Sequence, residues 1–269
     1  MAKKLPGTPP SLAWVPKERL QVSVASGRLC WPEPWEARVD VFWREEIEKT
    51  SPQFFCGPLL TVLGITWEAT VQVQAQFTDY AHFLYSRRYG QGMAELAVRP
   101  VFAAALPITL DDRLVIGKMG AGTHRPGRIQ CIGGTAIDGD VKGGGFDAET
   151  SADREMLEEI GVGRGDESLS ERGVVGATVD PEGGVAVAVA YDVHQSWPRF
   201  RRRIESFFLR EREEGRTTEL DEVLAVPLGT DGIAQLNAWG DVGPRYLRRF
   251  LTVPEISHHV NDPRGVVGE

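Results

Sequence analysis

The sequence predicts an α/β fold with a mixed β-sheet, preceded by a smaller α+β region at the N-terminus. Segments with strand and helix patterns alternate along the chain, and some neighbouring strands form hairpins, which is typical of a mixed sheet. The chain has 269 residues, which is more than the roughly 100–200 residues of one average domain. Its hydrophobic content of 42% is enough for a sizeable core.

The segment Tyr89-Gly-Gln-Gly92 interrupts these patterns and marks the predicted boundary. We therefore divide the chain into an N-terminal accessory α+β region, residues 1–92, and a larger domain, residues 93–269. In the accessory region, apolar or alternating runs predict strands, and aromatic or aliphatic residues at helical spacing predict helices. The predicted strands are Arg19–Ser26, Leu59–Trp67 and Thr70–Gln76, and the predicted helices are Asp40–Lys49 and Thr78–Arg88.

The larger domain begins with a predicted hairpin of two strands, Val101–Thr109 and Leu114–Lys118, joined by a turn at Asp111-Asp112. Further strands and helices alternate behind it. The further predicted strands are Arg128–Ile132, Gly176–Val179, Val185–Val193 and Glu222–Val226. The predicted helices are the acidic segment beginning at Arg154, a long amphipathic helix over Pro198–Glu213 and a helix near Pro244–Leu251.

The most informative segment is Arg154–Val162, because three glutamates crowd one side of a predicted helix. Glu155, Glu158 and Glu159 stand at positions i, i+3 and i+4, which are neighbours on a helix surface. Gly161 is a helix stop signal, so these acids lie near the C-terminal end, where the helix dipole disfavours anions. Such a cluster is penalised unless a cation binds it. Carboxylate oxygens suit a hard divalent cation, Mg²⁺ or Mn²⁺.

The same segment, downstream of Gly133-Gly134, resembles the Nudix box. That pattern is Gly, five residues, Glu, seven residues, then Arg-Glu-apolar-x-Glu-Glu-x-Gly-apolar. The second half matches at every fixed position. In the first half, the Glu position holds Asp140 when counted forward from Gly134, and Phe146 when counted backward from Arg154. The two counts differ by six residues, which predicts an insertion within Gly139–Phe146.

The resemblance implies a fold, a reaction and roles for the matching residues. The fold is a Nudix-type α/β/α sandwich in which the box helix packs against a mixed sheet. The activity is hydrolysis of the diphosphate bridge in a nucleoside diphosphate linked to another group, with Mg²⁺ or Mn²⁺. Arg154 resembles the arginine that orients a box glutamate by ion pairing. Glu155, Glu158, Glu159 and the Gly134 carbonyl resemble the metal ligands, with Glu155 also a candidate base.

Candidate residues outside the box extend this hypothesis. Glu219 and Glu222 follow the long helix, where many Nudix proteins place an additional metal-binding or proton-accepting glutamate. We favour Glu219, and the alternative is two exposed loop acids. His124, Arg125 and Arg128 lie just upstream of the glycine pair and are candidate substrate-binding residues. Arginine forks suit phosphate, and the alternative for each of these residues is a solvated surface.

Composition limits partners and location. A net charge of −8 argues against a surface that coats nucleic acid. Three cysteines, an odd number without CxxC spacing, are typical of reduced thiols in a cytoplasmic protein. No run reaches the roughly 18 apolar residues of a membrane span, so we expect a soluble protein. The expected partner is a small nucleoside diphosphate derivative, and the oligomeric state stays open, with a homodimer as one option.

The accessory region has a second, weaker resemblance. Its order of a tryptophan-bearing helix around Trp43, the segment Pro52-Gln-Phe-Phe-Cys-Gly57, two strands and Thr78-Asp79-Tyr80 is similar to the extension in UDP-sugar-hydrolysing Nudix proteins. This points to nucleotide sugars as substrates, although aromatic residues at helical spacing are more often core than ligand-binding residues.

Two other functions stay open at this stage. The altered first half of the box allows a non-catalytic Nudix domain that senses a nucleotide ligand or mediates a protein contact. A third option is the isomerase chemistry that some family members perform on prenyl diphosphates. That chemistry needs a cysteine and a further acid in the pocket, and Cys131 is the candidate cysteine.

Overall fold

The computed structural model describes residues 7–49, 55–90, 96–123, 125–240 and 243–257. A mixed sheet of 12 strands is its main feature. The strands are β1 Ala13–Pro16, β2 Leu20–Arg28, β3 Pro58–Trp67, β4 Val71–Asp79, β5 Pro100–Thr109, β6 Arg113–Met119, β7 Ile129–Cys131, β8 Val141–Lys142, β9 Gly145–Phe146, β10 Leu169–Val179, β11 Val185–Val193 and β12 Leu220–Pro227. The helices are α1 Glu33–Phe42, α2 Tyr80–Tyr89, α3 Ala148–Ile160, α4 Trp197–Glu213, α5 Thr230–Ala238, α6 Arg245–Phe250 and α7 Pro254–Ser257.

Strand β5 lies at the centre and has two different edges. Along one edge it pairs in parallel with β11 from Val101 to Thr109. The other edge is shared by three partners: β3 at its start, a loop in its middle, and β6 at its end. In that loop, Ile132 bridges to Ala105 and Thr135 bridges to Phe102. The Gly133-Gly134 pair is therefore held against the middle of the central strand.

Two apolar cores cover the two faces of β5, because successive side chains of a strand point to opposite sides. Ala103 and Ala105 face the core that contains α3 and α4. Ala104 and Leu106 face the core that contains α5, α6 and α7. The predicted α/β fold with a mixed sheet between helices is confirmed. Within the described residues, no helix is long and apolar enough to span a membrane.

The strands of the accessory region continue this same sheet. β4 pairs antiparallel with β3 and parallel with β2, and β3 reaches β5 through Leu60 opposite Val101. The predicted boundary lies partly outside the described residues, since residues 91 and 92 are not among them. The division at residue 92 stays a prediction, and three strands on the N-terminal side of that position share hydrogen bonds with the rest of the fold.

Two predicted elements differ in extent from the observed ones. The predicted helix at Asp40–Lys49 begins earlier, as α1, and continues as a π-helix over Trp43–Ile47. The earlier start was not predicted because Pro34 would break a helix interior, whereas the first turn of a helix tolerates proline. Strand β10 begins at Leu169 rather than at Gly176, because bulges at its charged and glycine positions break the alternating pattern. Helix α5 was not predicted.

His82 joins helices α1 and α2. Its Nε2 lies 3.0 Å from Oε2 of Glu36 on α1, and its Nδ1 lies 2.8 Å from Oδ1 of Asp79. Asp79 also caps α2 by accepting a hydrogen bond from the His82 amide. Burial alone lowers the pKa of His82, but Asp79 and Glu36 raise it on balance. Folding therefore favours protonation of the ring relative to the unfolded chain.

We expect His82→Gln to lower the free energy of unfolding by about 2 kcal/mol at pH 6, because hydrogen bonds to charged groups contribute about 1.5–3 kcal/mol. A histidine whose pKa is raised by folding stabilises the fold fully at pH values below its unfolded pKa of about 6.5. This stabilisation is lost as the pH rises through the pKa of the folded state. The difference between His82→Gln and wild type should therefore shrink towards pH 9, measured by urea denaturation. His194→Gln is the control, since His194 is exposed and its ring lies within hydrogen-bond distance of the Ser170 hydroxyl rather than of a carboxylate. A difference independent of pH would contradict this assignment.

Candidate metal and active site

Helix α3 carries the acidic segment and is fixed at both ends. Asp147 caps its start, where the Asp147 carboxylate accepts a hydrogen bond from the Thr150 amide at 3.0 Å. Gly161 ends it with a left-handed φ of 68°. Met156 and Ile160 are fully buried in the core against the sheet. The predicted helix and its stop are confirmed, and the buried face sets which way the glutamates point.

The glycine pair lies directly against two of these glutamates. The Gly133 amide donates a hydrogen bond to Oε2 of Glu159 at 3.0 Å. A Cβ on Gly134 would lie 2.5 Å from Oε1 of Glu155, and a Cβ on Gly133 would collide with the Ala103 carbonyl. Gly133 also has a φ of 141°. Gly133 therefore requires glycine, since a side chain there would displace β5, whereas a side chain at Gly134 would displace the Glu155 carboxylate.

Arg154 connects the acidic helix to the loop that precedes it. Its Nη1 donates to Oε1 of Glu155 at 2.7 Å and to Oε2 of Glu158 at 3.2 Å. Its Nη2 donates to Oδ2 of Asp140 and to the Thr135 carbonyl, both at 3.0 Å. The Asp140 residue is only 1% exposed. Asp140 and Glu155 thus hold the guanidinium between them, which fixes the orientation of the Glu155 carboxylate.

The predicted insertion is a small β-hairpin. Strands β8 and β9 pair across Gly143-Gly144, whose φ values of 58° and 76° form the tight turn. The Asp147 amide donates to the Asp140 carbonyl at 2.8 Å, so the chain leaves and returns at one point. The six residues between them, Val141–Phe146, account for the six-residue difference between the two counts. Asp140 rather than Phe146 therefore pairs with Arg154, and Phe146 packs against the core.

We expect deletion of Val141–Phe146, joining Asp140 to Asp147, to preserve the fold and the Arg154–Asp140 ion pair. The partly buried Val141 and Phe146 would be lost. Stability should fall by about 1–3 kcal/mol, since full burial of one such side chain contributes about 1.5–3 kcal/mol. Urea denaturation measures this change. Loss of cooperative unfolding would contradict the interpretation of this segment as an insertion.

The carboxylates share one electrostatic environment. Burial raises the pKa of Glu155 to about 7 against the opposing effect of Arg154, and the charges of Glu158 and Glu219 raise it further. Burial, followed by the charges of Glu219 and Glu155, raises the pKa of Glu159 well above its usual range. Burial and the charge of Glu158 raise the pKa of Glu219. Each acid disfavours ionisation of its neighbours, so the four carboxyl groups are close enough to interact electrostatically.

Glu159 has an unmatched polar atom. The residue is 2% exposed, and its Oε1 has no hydrogen-bond partner among the described residues. Buried carboxylate oxygens are normally paired with a donor or a cation. Oε1 of Glu159 is therefore a candidate partner for a hydrogen-bond donor or a cation.

The two candidate acids that follow α4 have different surroundings. Glu219 precedes β12, and its carbonyl accepts a hydrogen bond from the Gly120 amide at 2.8 Å. Glu222 lies 3.7 Å from Lys118 on the neighbouring strand, which is a surface ion pair. The structure therefore brings Glu219 to the other acids and places Glu222 beside a lysine.

The predicted substrate-binding residues lie on the loop between β6 and β7. His124 is outside the described residues. The Arg125 carbonyl accepts a hydrogen bond from the Arg128 amide at 3.1 Å, forming a turn. Arg128 lines a cleft together with Arg245 and Arg248. The two arginines of α6 were not among the sequence candidates, because nothing in the sequence relates that helix to the loop.

Tyr80, the last residue of the accessory-region segment Thr78-Asp79-Tyr80, was not among the predicted site residues and lies near Glu219. Its amide donates to the Gly57 carbonyl at 3.0 Å, and the neighbouring Pro58 carbonyl accepts from the Thr135 hydroxyl. Burial and then the charge of Glu219 raise the pKa of Tyr80. The start of α2 is therefore near Glu219, and this proximity depends on long-range strand pairing that the sequence does not reveal.

The donor set suits a hard cation, although no three described acidic, histidine or cysteine side chains are positioned together as metal ligands. Arg154 instead takes one oxygen each from Glu155 and Glu158. All available donors are oxygens, as Mg²⁺ and Mn²⁺ prefer. A cation there would partner Oε1 of Glu159 and relieve the mutual repulsion of the acids. These oxygen donors are therefore chemically suited to binding Mg²⁺ or Mn²⁺.

The buried cysteine of the site region faces away from it. Cys131 is 2% exposed and lies in the core formed with α5 and α6. Burial, with the charge of Glu159, raises the pKa of its thiol. Buried thiols of this kind are unreactive, so this residue does not favour the isomerase alternative.

Comparisons with known proteins lead to one group of structures. No protein-family model matches the sequence, and no curated protein matches it. A Nudix hydrolase structure from Nitrosomonas europaea has 14% identity and a TM-score of 0.35, covering 56% of this chain and 69% of that chain. The MutT protein from Methanosarcina mazei Go1 has 16% identity and a TM-score of 0.33, covering 56% and 88%. The chain is similar to Nudix hydrolases.

A third structure in this group was solved with a ligand. The NUDIX domain of Shewanella oneidensis NrtR, complexed with ADP ribose, has 13% identity and a TM-score of 0.30. It covers 58% of this chain and 85% of that chain. Two of the three, from Nitrosomonas europaea and Shewanella oneidensis, carry the name of the family that the segment Arg154–Val162 resembles.

Proposed function

We propose that this protein hydrolyses the diphosphate bond of a nucleoside diphosphate linked to another group, giving a nucleoside monophosphate and a phosphorylated product. The observation that carries this proposal is the convergence of Glu155, Glu158, Glu159 and Glu219 near the glycine pair, with the buried Oε1 of Glu159 unpartnered. A diphosphate is multiply anionic, so a site made only of carboxylates needs a cation to accept it.

Mg²⁺ or Mn²⁺ is the proposed cofactor, held by Glu155, Glu158, Glu159 and the Gly134 carbonyl. Such an ion supplies charge neutralisation at the diphosphate oxygens and lowers the pKa of bound water. The Gly133 amide holds Glu159 in place from the opposite side, through its hydrogen bond to Oε2. The other oxygen of Glu159, Oε1, has no hydrogen-bond partner among the described residues and is the metal-binding atom in this proposal.

Proton transfer in this proposal needs a residue that accepts the proton and a residue that positions the acceptor. Glu155 or Glu219 accepts the proton of the attacking water, since a carboxylate within hydrogen-bond reach is the usual base for such a step. Arg154 is the positioning residue, because it fixes Glu155 from one side and is itself fixed by Asp140.

Nucleotide sugars are the substrate class that we favour. The weak resemblance of the accessory region to UDP-sugar-hydrolysing Nudix proteins supports this choice. So does the position of Tyr80, which brings the accessory region to the edge of the carboxylate site. The accessory region therefore contributes to substrate recognition in this proposal.

A screen of nucleoside diphosphate sugars, dinucleotides and ADP-ribose tests the reaction. Phosphate release after phosphatase coupling is measured with Mg²⁺, with Mn²⁺ and with EDTA. We expect one substrate group to be cleaved at the diphosphate with either metal and not in EDTA. Absence of product from every substrate in both metals would overturn the proposed reaction.

The competing function is a non-catalytic nucleotide sensor. The altered first half of the box supports this function. The ion pair between Asp140 and Arg154 weakens that support, because Arg154 is paired with an acid even though the family's glutamate is missing. Isothermal titration calorimetry separates the two functions. Tight nucleotide binding without divalent metal and without product would favour the sensor.

A further inference from the structure

The inserted hairpin, Val141–Phe146, contacts the accessory region along the edge of β2. The Val24 amide donates a hydrogen bond to the Gly144 carbonyl at 2.8 Å. Beside this bond, Ser23 pairs with Gly145 in antiparallel register. Strand β2 pairs in turn with β4. The hairpin therefore continues the part of the sheet that the accessory region forms.

The hairpin and β2 also share one apolar core. Val22 and Val24 of β2, together with Val141 and Phe146 of the hairpin, are partly buried against the core that contains α3. A Cβ on Gly145 would lie 3.5 Å from the Val22 carbonyl oxygen, so the two backbones are in close contact. The attachment of the hairpin to β2 therefore combines main-chain pairing with burial of apolar side chains.

The base of the hairpin holds the carboxylate that pairs with Arg154. The Asp147 amide donates to the Asp140 carbonyl at 2.8 Å, and Oδ2 of Asp140 accepts from Nη2 of Arg154 at 3.0 Å. Nη1 of Arg154 donates to Oε1 of Glu155 at 2.7 Å. A continuous series of contacts therefore leads from β2, through the hairpin, to a proposed metal ligand.

Lys142 connects the hairpin to the first turn of α3. Its Nζ lies 2.5 Å from Oδ2 of Asp147 and donates to the Thr150 hydroxyl oxygen at 2.9 Å. Asp147 is the residue that caps α3. Since the hairpin is fixed both to β2 and to α3, a change in its position would act on Asp140 and on the start of the acidic helix together.

The short strands of the hairpin explain why it needs β2. Strands β8 and β9 have two residues each, and an isolated two-stranded hairpin is marginally stable at best in water. Strand β2 supplies a third strand, next to β9. Without it, Asp140 would be joined to Asp147 through a loosely held loop, and Arg154 would lose a fixed partner.

We propose that β2 is a positioning element of the candidate active site. Its edge holds the hairpin, the hairpin holds Asp140 against Arg154, and Arg154 orients Glu155. Val24 is the positioning residue of β2 in this series. The accessory region then acts on the chemical step without touching the substrate. The effect on turnover rests on the proposed function, while the coupling of Val24 to the ion pair of Arg154 does not.

Urea denaturation of the metal-free protein tests the coupling by itself. A double-mutant cycle combines Val24→Pro, which removes the amide donor to the hairpin, with Arg154→Met. A strand amide donates to one edge only, so this proline leaves the hydrogen bonds between β2 and β4 in place. We expect the double variant to be less destabilised than the sum of the single variants. The same cycle with Arg203→Met is the control and should be additive, because Arg203 pairs with Asp166 and not with a residue of the hairpin. Additivity with Arg154→Met would overturn the proposal.

Gly144→Val is a second way to disturb the hairpin and serves if Val24→Pro does not fold. Gly144 has a φ of 76°, and a Cβ there meets no atom within 4 Å, so valine strains the turn without a clash. Gly240→Val is the matched control, since Gly240 has a φ of 83° and equal space around a Cβ. We expect coupling to Arg154→Met from Gly144→Val and additivity from Gly240→Val. Additivity in both would overturn the proposal.

Steady-state kinetics with Mg²⁺, on a substrate that the screen identifies, test the positioning role. We expect Val24→Pro to lower kcat at least about tenfold with little change in KM, because a small displacement of a positioned group can cost about 100-fold. The same substitution should leave kcat unchanged in the protein that lacks Val141–Phe146, where Asp140 is joined directly to Asp147.

Two kinetic results would overturn the positioning role. One is a raised KM with unchanged kcat, which would place the effect of β2 on substrate binding. The other is an equal loss of kcat with and without the hairpin. If wild type cleaves no compound in the screen, the proposed reaction fails, and the denaturation cycles still decide the coupling.

Discussion

Glu158→Gln is expected to lower kcat by at least about 100-fold and to leave the fold intact. Loss of residues that only support metal ligands costs about 10–100-fold in activity or metal affinity, so loss of a ligand should cost at least as much. The Glu158 side chain is 59% exposed, and its ion pair with Arg154 is of the surface type that contributes about 0–1 kcal/mol. Steady-state kinetics with Mg²⁺ and thermal unfolding measure the two effects.

The matched control for this variant is Glu167→Gln. Glu167 is exposed on the loop after α3, and its substitution changes the net charge by the same amount. We expect wild-type kcat from the control. Wild-type turnover from Glu158→Gln would remove the basis of the proposed metal site.

Asp140→Ala is expected to destabilise the protein by about 3 kcal/mol, because removal of one partner of a buried ion pair costs about 3–5 kcal/mol and Arg154 keeps some contact with water. The Ile137 amide would also lose its acceptor, Oδ2 of Asp140. We expect kcat to fall at least tenfold while KM changes little, since Glu155 would lose its fixed orientation and the substrate contacts would remain.

A double-mutant cycle with Arg154→Met identifies the source of the Asp140 effect. If the two residues act through their ion pair, the double variant should be less destabilised than the sum of the single variants. Urea denaturation of the four proteins gives the coupling free energy. Additive effects would show that Asp140 acts through another contact.

The local parts of the site could be predicted from the sequence. The spacing of Glu155, Glu158 and Glu159 fixes their common side of a helix, and Gly161 fixes its end. The mismatch of six residues predicted the insertion. The choice between Asp140 and Phe146 could not be made, because it depends on the hydrogen bond that closes the hairpin at its base.

Long-range pairing accounts for most of what the sequence did not reveal. The register of β12 against β6 places Glu222 beside Lys118 and Glu219 beside Gly120, and neither partner is near in sequence. The proximity of α6 to Arg128 has the same origin. Most strands that were predicted appear within a few residues of their observed bounds, since apolar runs are a local property.

The hairpin of Val141–Phe146 also touches the accessory region, and this contact limits how the protein can be shortened. The Val24 amide donates to the Gly144 carbonyl at 2.8 Å, and Ser23 pairs with Gly145. A fragment starting at residue 93 would lack these partners, so an edge of the hairpin and the start of β5 would become exposed. Exposed strand edges of this kind recruit other chains and cause aggregation. Screening fragments for soluble expression should therefore keep residues 20–79 attached.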